Sequence, residues 1–72
     1  MRATHKNAQQ DFRVEDSGGV VLFHMRSKAA RIWVRENVNA ESWQFLGDAL
    51  AVDRRYAENL VAGIVSSGLS VA

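Results

Sequence analysis

Cysteine and proline are both absent from the 72 residues, and histidine occurs only twice. Without cysteine there is no disulfide to staple the fold and no thiolate for a metal, and no other spacing of ligands takes its place. A domain near this size buries only roughly 60% of the surface its unfolded chain exposes, so stability is expected to be marginal. What remains is a tightly packed core, or association with a second copy or a partner. No apolar stretch approaches the roughly 20 residues that span a bilayer, and no charged segment followed by an apolar run opens the chain. Neither a membrane helix nor a signal peptide is therefore expected, and the cytoplasm is the expected compartment.

Strong charge of either sign is also missing. The formal balance is +1, but Met1 to Gln10 carries Arg2 and Lys6 with no acid. From Asp11 onward seven basic side chains face eight acidic ones, a balance of −1. Nucleic-acid binders usually concentrate basic charge in the folded part, because phosphate neutralisation dominates their affinity. This chain does not, nor is it acidic enough to imitate a DNA surface.

What is present is period. Residues 1–10 are polar and read as a disordered lead-in to one domain over 11–72. From there Phe12 and Val14 alternate with Arg13 and Glu15, the pattern of a half-buried strand. Asp16-Ser17-Gly18-Gly19 is a turn, its glycines free to take positive φ. A second strand follows over Val20 to Met25, apolar on both faces, with Val21, Phe23 and Met25 on one and Val20, Leu22 and His24 on the other. So short a chain can scarcely cover both. One face is expected to serve as a contact surface.

Ser27 is placed to cap a helix from Lys28 to Val38. Ala30, Trp33, Val34 and Val38 form its apolar stripe, widened by Ala29 and Ile32, while Lys28, Arg31 and Arg35 share a polar face. Ala40 to Gly47, with Trp43, Phe45 and Leu46, is too aromatic for a free loop and is expected to fold back onto the core. Asp48 to Val52 reads as a third strand. Asp53 then caps a second helix, whose stripe of Tyr56, Ala57, Leu60, Val61, Ile64 and Val65 is the strongest periodic signal in the chain. Gly63 interrupts it. Gly68 followed by Leu69 suits a helix end in which glycine turns left-handed and the next apolar residue packs back. Leu69 to Ala72 offers a short last edge strand. The expected fold is α+β, in the order ββαβα(β). Two helices lie on one face of a three- or four-stranded sheet, making a two-layer sandwich.

The runs Ala29-Ala30-Arg31-Ile32-Trp33-Val34 and Trp43-Gln44-Phe45-Leu46-Gly47-Asp48-Ala49-Leu50-Ala51-Val52 continue through Asp53-Arg54-Arg55-Tyr56 to Gly68-Leu69-Ser70-Val71. This pattern resembles that of short uncharacterised proteins of bacteria, phages and other mobile elements. It covers somewhat over half the chain and carries no assigned activity. The resemblance implies only a setting: small accessory proteins, some acting on host defence or regulatory proteins. The first hairpin lies outside it.

Catalysis finds no support in the residues. A nucleophile needs a neighbouring base, and the base an orienting group. His5 falls in the lead-in, and His24 alternates with apolar residues as a sheet-face histidine with a local hydrogen bond would. No cluster offers three or four zinc ligands, and the acids are scattered. Gly18-Gly19 joins two strands and introduces no helix, so it cradles no phosphate. No enzyme, cofactor, metal or small-molecule substrate is expected.

Two further features are weighed against plainer readings. Arg26, Lys28, Arg31 and Arg35 make a basic ridge at the first helix. It is a solvated face paired with Glu36 and Glu41, the seat of an acidic protein partner, or a track for nucleic-acid phosphates with Trp43 stacking on a base. Trp33 belongs to the core stripe; Trp43 is either core or a binding anchor. Arg54 and Arg55 stand where the helix dipole disfavours cations, which points to an acceptor: Asp53, Glu58 or an outside group.

The reading that follows is a non-enzymatic protein-binding module acting by surface occlusion, through Val20, Leu22, His24, Arg31, Arg35 and Trp43. Its partner is a host protein complex or a second copy of the chain as a homodimer. An inhibitor of a host defence complex, such as an anti-CRISPR protein, is the concrete version. The alternative is a small nucleic-acid-binding accessory protein using Arg26, Lys28, Arg31 and Arg35.

Overall fold

The computed structural model describes residues 10–72. Nearly all of the expected lead-in over 1–10 lies outside the described residues, as does the side chain of Trp43. Strand β1 (Phe12–Ser17) and β2 (Val20–Met25) precede helix α1 (Lys28–Asn37); a 3-10 turn (Ser42–Gln44) leads into β3 (Phe45–Leu46), β4 (Ala49–Asp53) and helix α2 (Arg54–Ser66). The strands form one antiparallel sheet in the order β1-β2-β4-β3, with the α+β class and ββαβα order that the periodicity predicts. The last segment adds a parallel bridge between Phe12 and Val71. There the Phe12 amide donates to the Ser70 carbonyl at 3.0 Å and the Ala72 amide to the Phe12 carbonyl at 2.9 Å.

The first hairpin closes as its turn residues dictate. Ser17 pairs with Val20 across Gly18-Gly19, and of the two glycines only Gly18 takes a positive φ, 81°. That is the backbone of a type II′ loop, whose first central position wants glycine. The Asp16 carboxylate accepts from the Gly18 amide at 3.0 Å. Arg54 then binds the loop to the start of α2, donating from Nε to the Gly18 carbonyl at 3.0 Å and pairing with Asp16. Arg55 donates to Asp53 at 3.1 Å. Each arginine that the helix dipole disfavours thus has an acceptor within the fold.

Side chains directly opposite in an antiparallel register share a face, so the pairing sorts the sheet into two sides. Phe12, Val21, Phe23, Met25, Leu50 and Val52 face the helices and join Ala30, Val34 and Ile64 in one buried cluster. Phe12 stands at its centre, edge-on to Phe23 at 6.4 Å between ring centroids and to Trp33 at 6.2 Å. Both helices therefore cover one face, as expected.

The caps hold each helix to its reading. Ser27 accepts from the Ala30 amide at 3.0 Å, and α1 ends one residue earlier than expected, with Val38 as its C-cap. At the end of α2, Gly68 has φ 87°. The Gly68 amide donates to Val65 at 2.9 Å and the Leu69 amide to Ile64 at 3.2 Å, the paired bonds of a Schellman motif with Leu69 turned back onto the core.

Three expectations need correction. Ala40 to Gly47 does not fold back as a unit: Ala40 packs on the core, but Phe45 and Leu46 form the edge strand β3 and are 38% and 57% exposed. The apolar stripe of α2 is narrower than its period suggests, since Tyr56 and Val65 are exposed. Ala29 of α1 is exposed as well. On the helices these apolar residues stay in solvent, and on β3 Leu46 shares the row of Ala49 and His24, on the side away from the helices.

Gly63 now has a neighbour. A Cβ added there would meet the Trp33 ring at 3.6 Å, an ordinary contact, while Trp33 Nε1 donates to Ser67 Oγ at 2.8 Å alongside. Gly63→Ala is expected to stabilise the chain by about 0.5–1 kcal/mol, through helix propensity. A higher thermal midpoint checks it; a lower one means that the indole cannot give way.

Candidate functional site

Two surfaces emerge, and they lie on opposite sides of the sheet. The first is the face that no described element covers. Its register rows are Arg13–His24–Ala49–Leu46, Glu15–Leu22–Ala51 and Ser17–Val20–Asp53. Val20 is 39% exposed and Leu22 half-buried. The β2–β4–β3 part of this face is thus an apolar strip of Val20, Leu22, Ala51 and Leu46; Ala49, in the row of Leu46, is only 3% exposed. β1 borders it with Arg13 and Glu15, both exposed.

His24 sits within this strip but is tied down: its Nε2 lies 2.8 Å from Glu15 Oε1. That is the local hydrogen bond expected of a sheet-face histidine. At the far end Asp53 is held by Arg55, whose guanidinium and backbone amide together keep the Asp53 carboxyl below the usual carboxylate range. Glu15 and Asp53 thus have partners inside the chain, whereas Arg13 forms no ion pair among the described residues; the centre of the strip is apolar.

The second surface is a groove of about 530 Å³ where the second half of α1 passes the end of the sheet. Met25, Val34, Val38, Ala40 and Phe45 supply its apolar wall, and Arg31 and Arg35 complete it. Residues four apart on a helix are neighbours, so the two guanidinium-bearing side chains stand together. The expected pairing of Arg31 and Arg35 with Glu36 and Glu41 does not occur. Among the described residues no acidic side chain forms an ion pair with Arg26, Lys28, Arg31 or Arg35, all of which are exposed. Glu36 is carried away by helical rotation, being adjacent to Arg35 in sequence. Glu41 is tied to the 3-10 turn by its main chain, its amide donating to Gln44 Oε1 at 2.8 Å and its carbonyl accepting from the Gln44 amide at 2.9 Å, and its carboxylate forms no ion pair with either arginine. A shallower depression between α1 and α2, rimmed by Asn37, Asn39, Asn59 and Gln44, presents amides but no charge.

The expected binding set is therefore split. Val20, Leu22 and His24 belong to the open face, and Arg31 and Arg35 to the groove. The Trp43 side chain, the sixth expected member, lies outside the described residues. The reading of the residues missed Leu46 and Ala51 on the face, and Met25, Val38, Ala40 and Phe45 in the groove. A signal for β3 was present: Gly47-Asp48 between Phe45-Leu46 and Ala49-Leu50 is a two-residue, glycine-first hairpin loop, and β3 is what brings Phe45 to the groove. Among the described residues no group of three or more His, Cys, Asp or Glu side chains could hold a metal ion, and no helix is long and apolar enough to cross a membrane.

These features define a small α+β domain with one sheet face that no described element covers and a basic-rimmed groove on the other side. Comparison with protein-family models, curated proteins and solved structures gives no match for the chain.

Proposed function

We propose that the chain is a non-catalytic protein-binding module of the cytoplasm that acts by occluding part of its partner. The observation that carries this reading is the open sheet face, with Val20 39% exposed and Leu46 57% exposed at either end of an apolar strip. An apolar centre with a polar border of Arg13, Glu15 and Asp53 has the anatomy of an interface core and rim. The strip is smaller than the roughly 800 Å² per partner of a standard interface, so it serves as the anchor of a larger contact. Small size and the resemblance over Ala29 to Val71 support a setting in a phage or mobile element. The partner we propose is a protein of a host defence complex, as for an anti-CRISPR protein.

Photo-crosslinking tests this directly. A benzophenone side chain placed at Leu22 is expected to trap a host protein in cells, whereas one at Glu58, exposed on α2, is not. The trapped protein, once purified, should bind the chain and lose about tenfold or more in affinity against Leu22→Lys, a change expected at an interface core. Thermal melting of that variant should stay close to wild type, because the side chain leaves the sheet away from the core. Adducts of the chain with itself would establish a homodimer instead. Equal trapping from both positions, or undiminished binding by Leu22→Lys, would remove the open face from the interface.

The unpaired ridge of Arg26, Lys28, Arg31 and Arg35 favours a second reading as a nucleic-acid-binding accessory protein. Titration with duplex and single-stranded DNA separates the two. Submicromolar binding that weakens steeply with salt supports the second.

A further inference from the structure

We infer that the groove between α1 and β3 binds an acidic linear segment of a partner protein, with one large apolar side chain seated in the groove and a neighbouring carboxylate paired with Arg31 and Arg35. This is a separate surface from the open face, and neither reading depends on the other.

The chemistry of the groove carries the inference. Its volume, about 530 Å³, falls within the roughly 300–1,000 Å³ of typical ligand sites. Apart from Arg31 and Arg35 its lining is apolar, from Met25 and Val34 to Phe45, so it selects a hydrophobic group. Phe45 stands on β3, the outermost strand, and remains 38% exposed. Such a ring gains by being covered. The polar groups at the groove are two guanidiniums without an acidic partner among the described residues. Two adjacent like charges on one helix repel, and a carboxylate between them relieves that repulsion. Guanidinium also recognises carboxylate with a planar, bidentate geometry that ammonium lacks.

Extended peptide suits the shape. The groove opens along the two-residue β3, the sheet's edge on that side, so a chain can run past while one side chain enters. Nucleic acid fits less well. A phosphate track needs basic charge in a line over a polar surface, whereas here aliphatic side chains lie directly beside the arginines, and the part from Asp11 onward carries a balance of −1.

The probe is a capped pentapeptide with a central phenylalanine flanked on each side by two acidic residues. It is titrated into the isotope-labelled full chain and followed by amide NMR shifts. Saturable shifts are expected at Arg31, Arg35, Val38 and Phe45. Arg31→Glu combined with Arg35→Glu should weaken binding by about tenfold or more, without lowering the thermal midpoint, since both side chains are exposed. Replacing the peptide's phenylalanine by alanine should do the same, and a lysine-flanked peptide should not bind. Leu22→Lys should leave peptide binding unchanged, which keeps this test independent of the open face. No saturable shift, shifts confined to other residues, equal binding of the lysine-flanked peptide, or tighter binding of a single-stranded oligonucleotide at the same amides would each overturn the proposal.

Discussion

Phe12→Ala is expected to cost about 3–5 kcal/mol and to lower the thermal midpoint by about 12–40 °C. Phe12 is fully buried, and its ring is the edge-on partner of both Phe23 and Trp33. It therefore joins the hairpin to α1, and through Trp33 to α2. Truncation removes the transfer free energy of the ring and also leaves a void that no neighbour can fill without moving the backbone. Total stability for a domain of this length is on the order of 4–11 kcal/mol at the usual figure per residue, with no disulfide in reserve. One residue thus removes about a quarter of it or more. Phe12→Leu, which keeps most of the volume, should cost about 1 kcal/mol. Thermal and urea melts monitored by far-ultraviolet circular dichroism distinguish the two variants. A midpoint for Phe12→Ala within a few degrees of wild type would show that the ring is not the centre of the core.

That centrality was visible in the sequence only as an alternation. Phe12 and Val14 point inward because period two places them opposite Met25 and Phe23, and a single apolar face is enough to infer that much. What no local pattern reports is that the ring meets Trp33, 21 positions later, or that the Ser70 carbonyl accepts its amide. Those contacts depend on how α1 and the last residues return to the sheet. Legibility fell off in the same way across the fold. The hairpin, the two capped helices and the glycine-led end of α2 are each written in a few adjacent residues, and each was readable. β3 was not read, because two strand residues give no period; only the turn type marked them.

The candidate surfaces divide along the same line. A strand apolar on both sides, in a chain with only two helices to offer, implies one face left over, and Val20 and Leu22 do lie on it. This is an argument from quantity and needs no topology. The groove is different. Arg31 and Arg35 could be placed on one side of a helix by spacing alone, and their lack of acidic partners depends on where the 3-10 turn, bonded to the Glu41 main chain, carries that residue. That Met25, Ala40 and Phe45 arrive beside them requires the order β1-β2-β4-β3, which no spacing encodes. The inference from spacing that Glu36 and Glu41 would neutralise the ridge failed because Glu36, next to Arg35, points elsewhere around the helix and Glu41 lies in the turn beyond it, forming no ion pair.

Asp11 carries the last expectation, a loss of about 1–2 kcal/mol in Asp11→Ala at neutral pH, set by the usual worth of hydrogen bonds to a charged acceptor. Its carboxylate accepts from Ser27 Oγ at 2.7 Å, from the Ser70 amide at 2.9 Å and from Ser70 Oγ at 3.1 Å. It thereby binds the start of β1 to the cap of α1 and to the closing segment. The Ser27 hydroxyl above all, then the Ser70 amide, holds the Asp11 carboxyl below the usual carboxylate range, against a smaller opposing effect of burial. A carboxyl depressed in the folded state binds its proton more readily when unfolded. Its contribution is therefore present above the usual carboxylate value and declines as pH falls from about 5 through that value and below. Wild type and Asp11→Ala should accordingly differ by about 4–16 °C in thermal midpoint at pH 7 and converge toward about pH 2–3 in the same linkage. Asp16 and Asp53 are depressed too, Asp16 chiefly by the Gly18 amide and then Arg54, Asp53 by Arg55, so the wild-type profile contains all three. Salt separates them. The exposed arginine pairs are screened, whereas the donors at Asp11 are neutral hydroxyls and an amide and are little affected. The midpoint difference between wild type and Asp11→Ala should persist in high salt at pH 7 and still close on acidification. A difference that vanishes in salt, or stays constant with pH, would show that Asp11 acts through general charge and not through this junction.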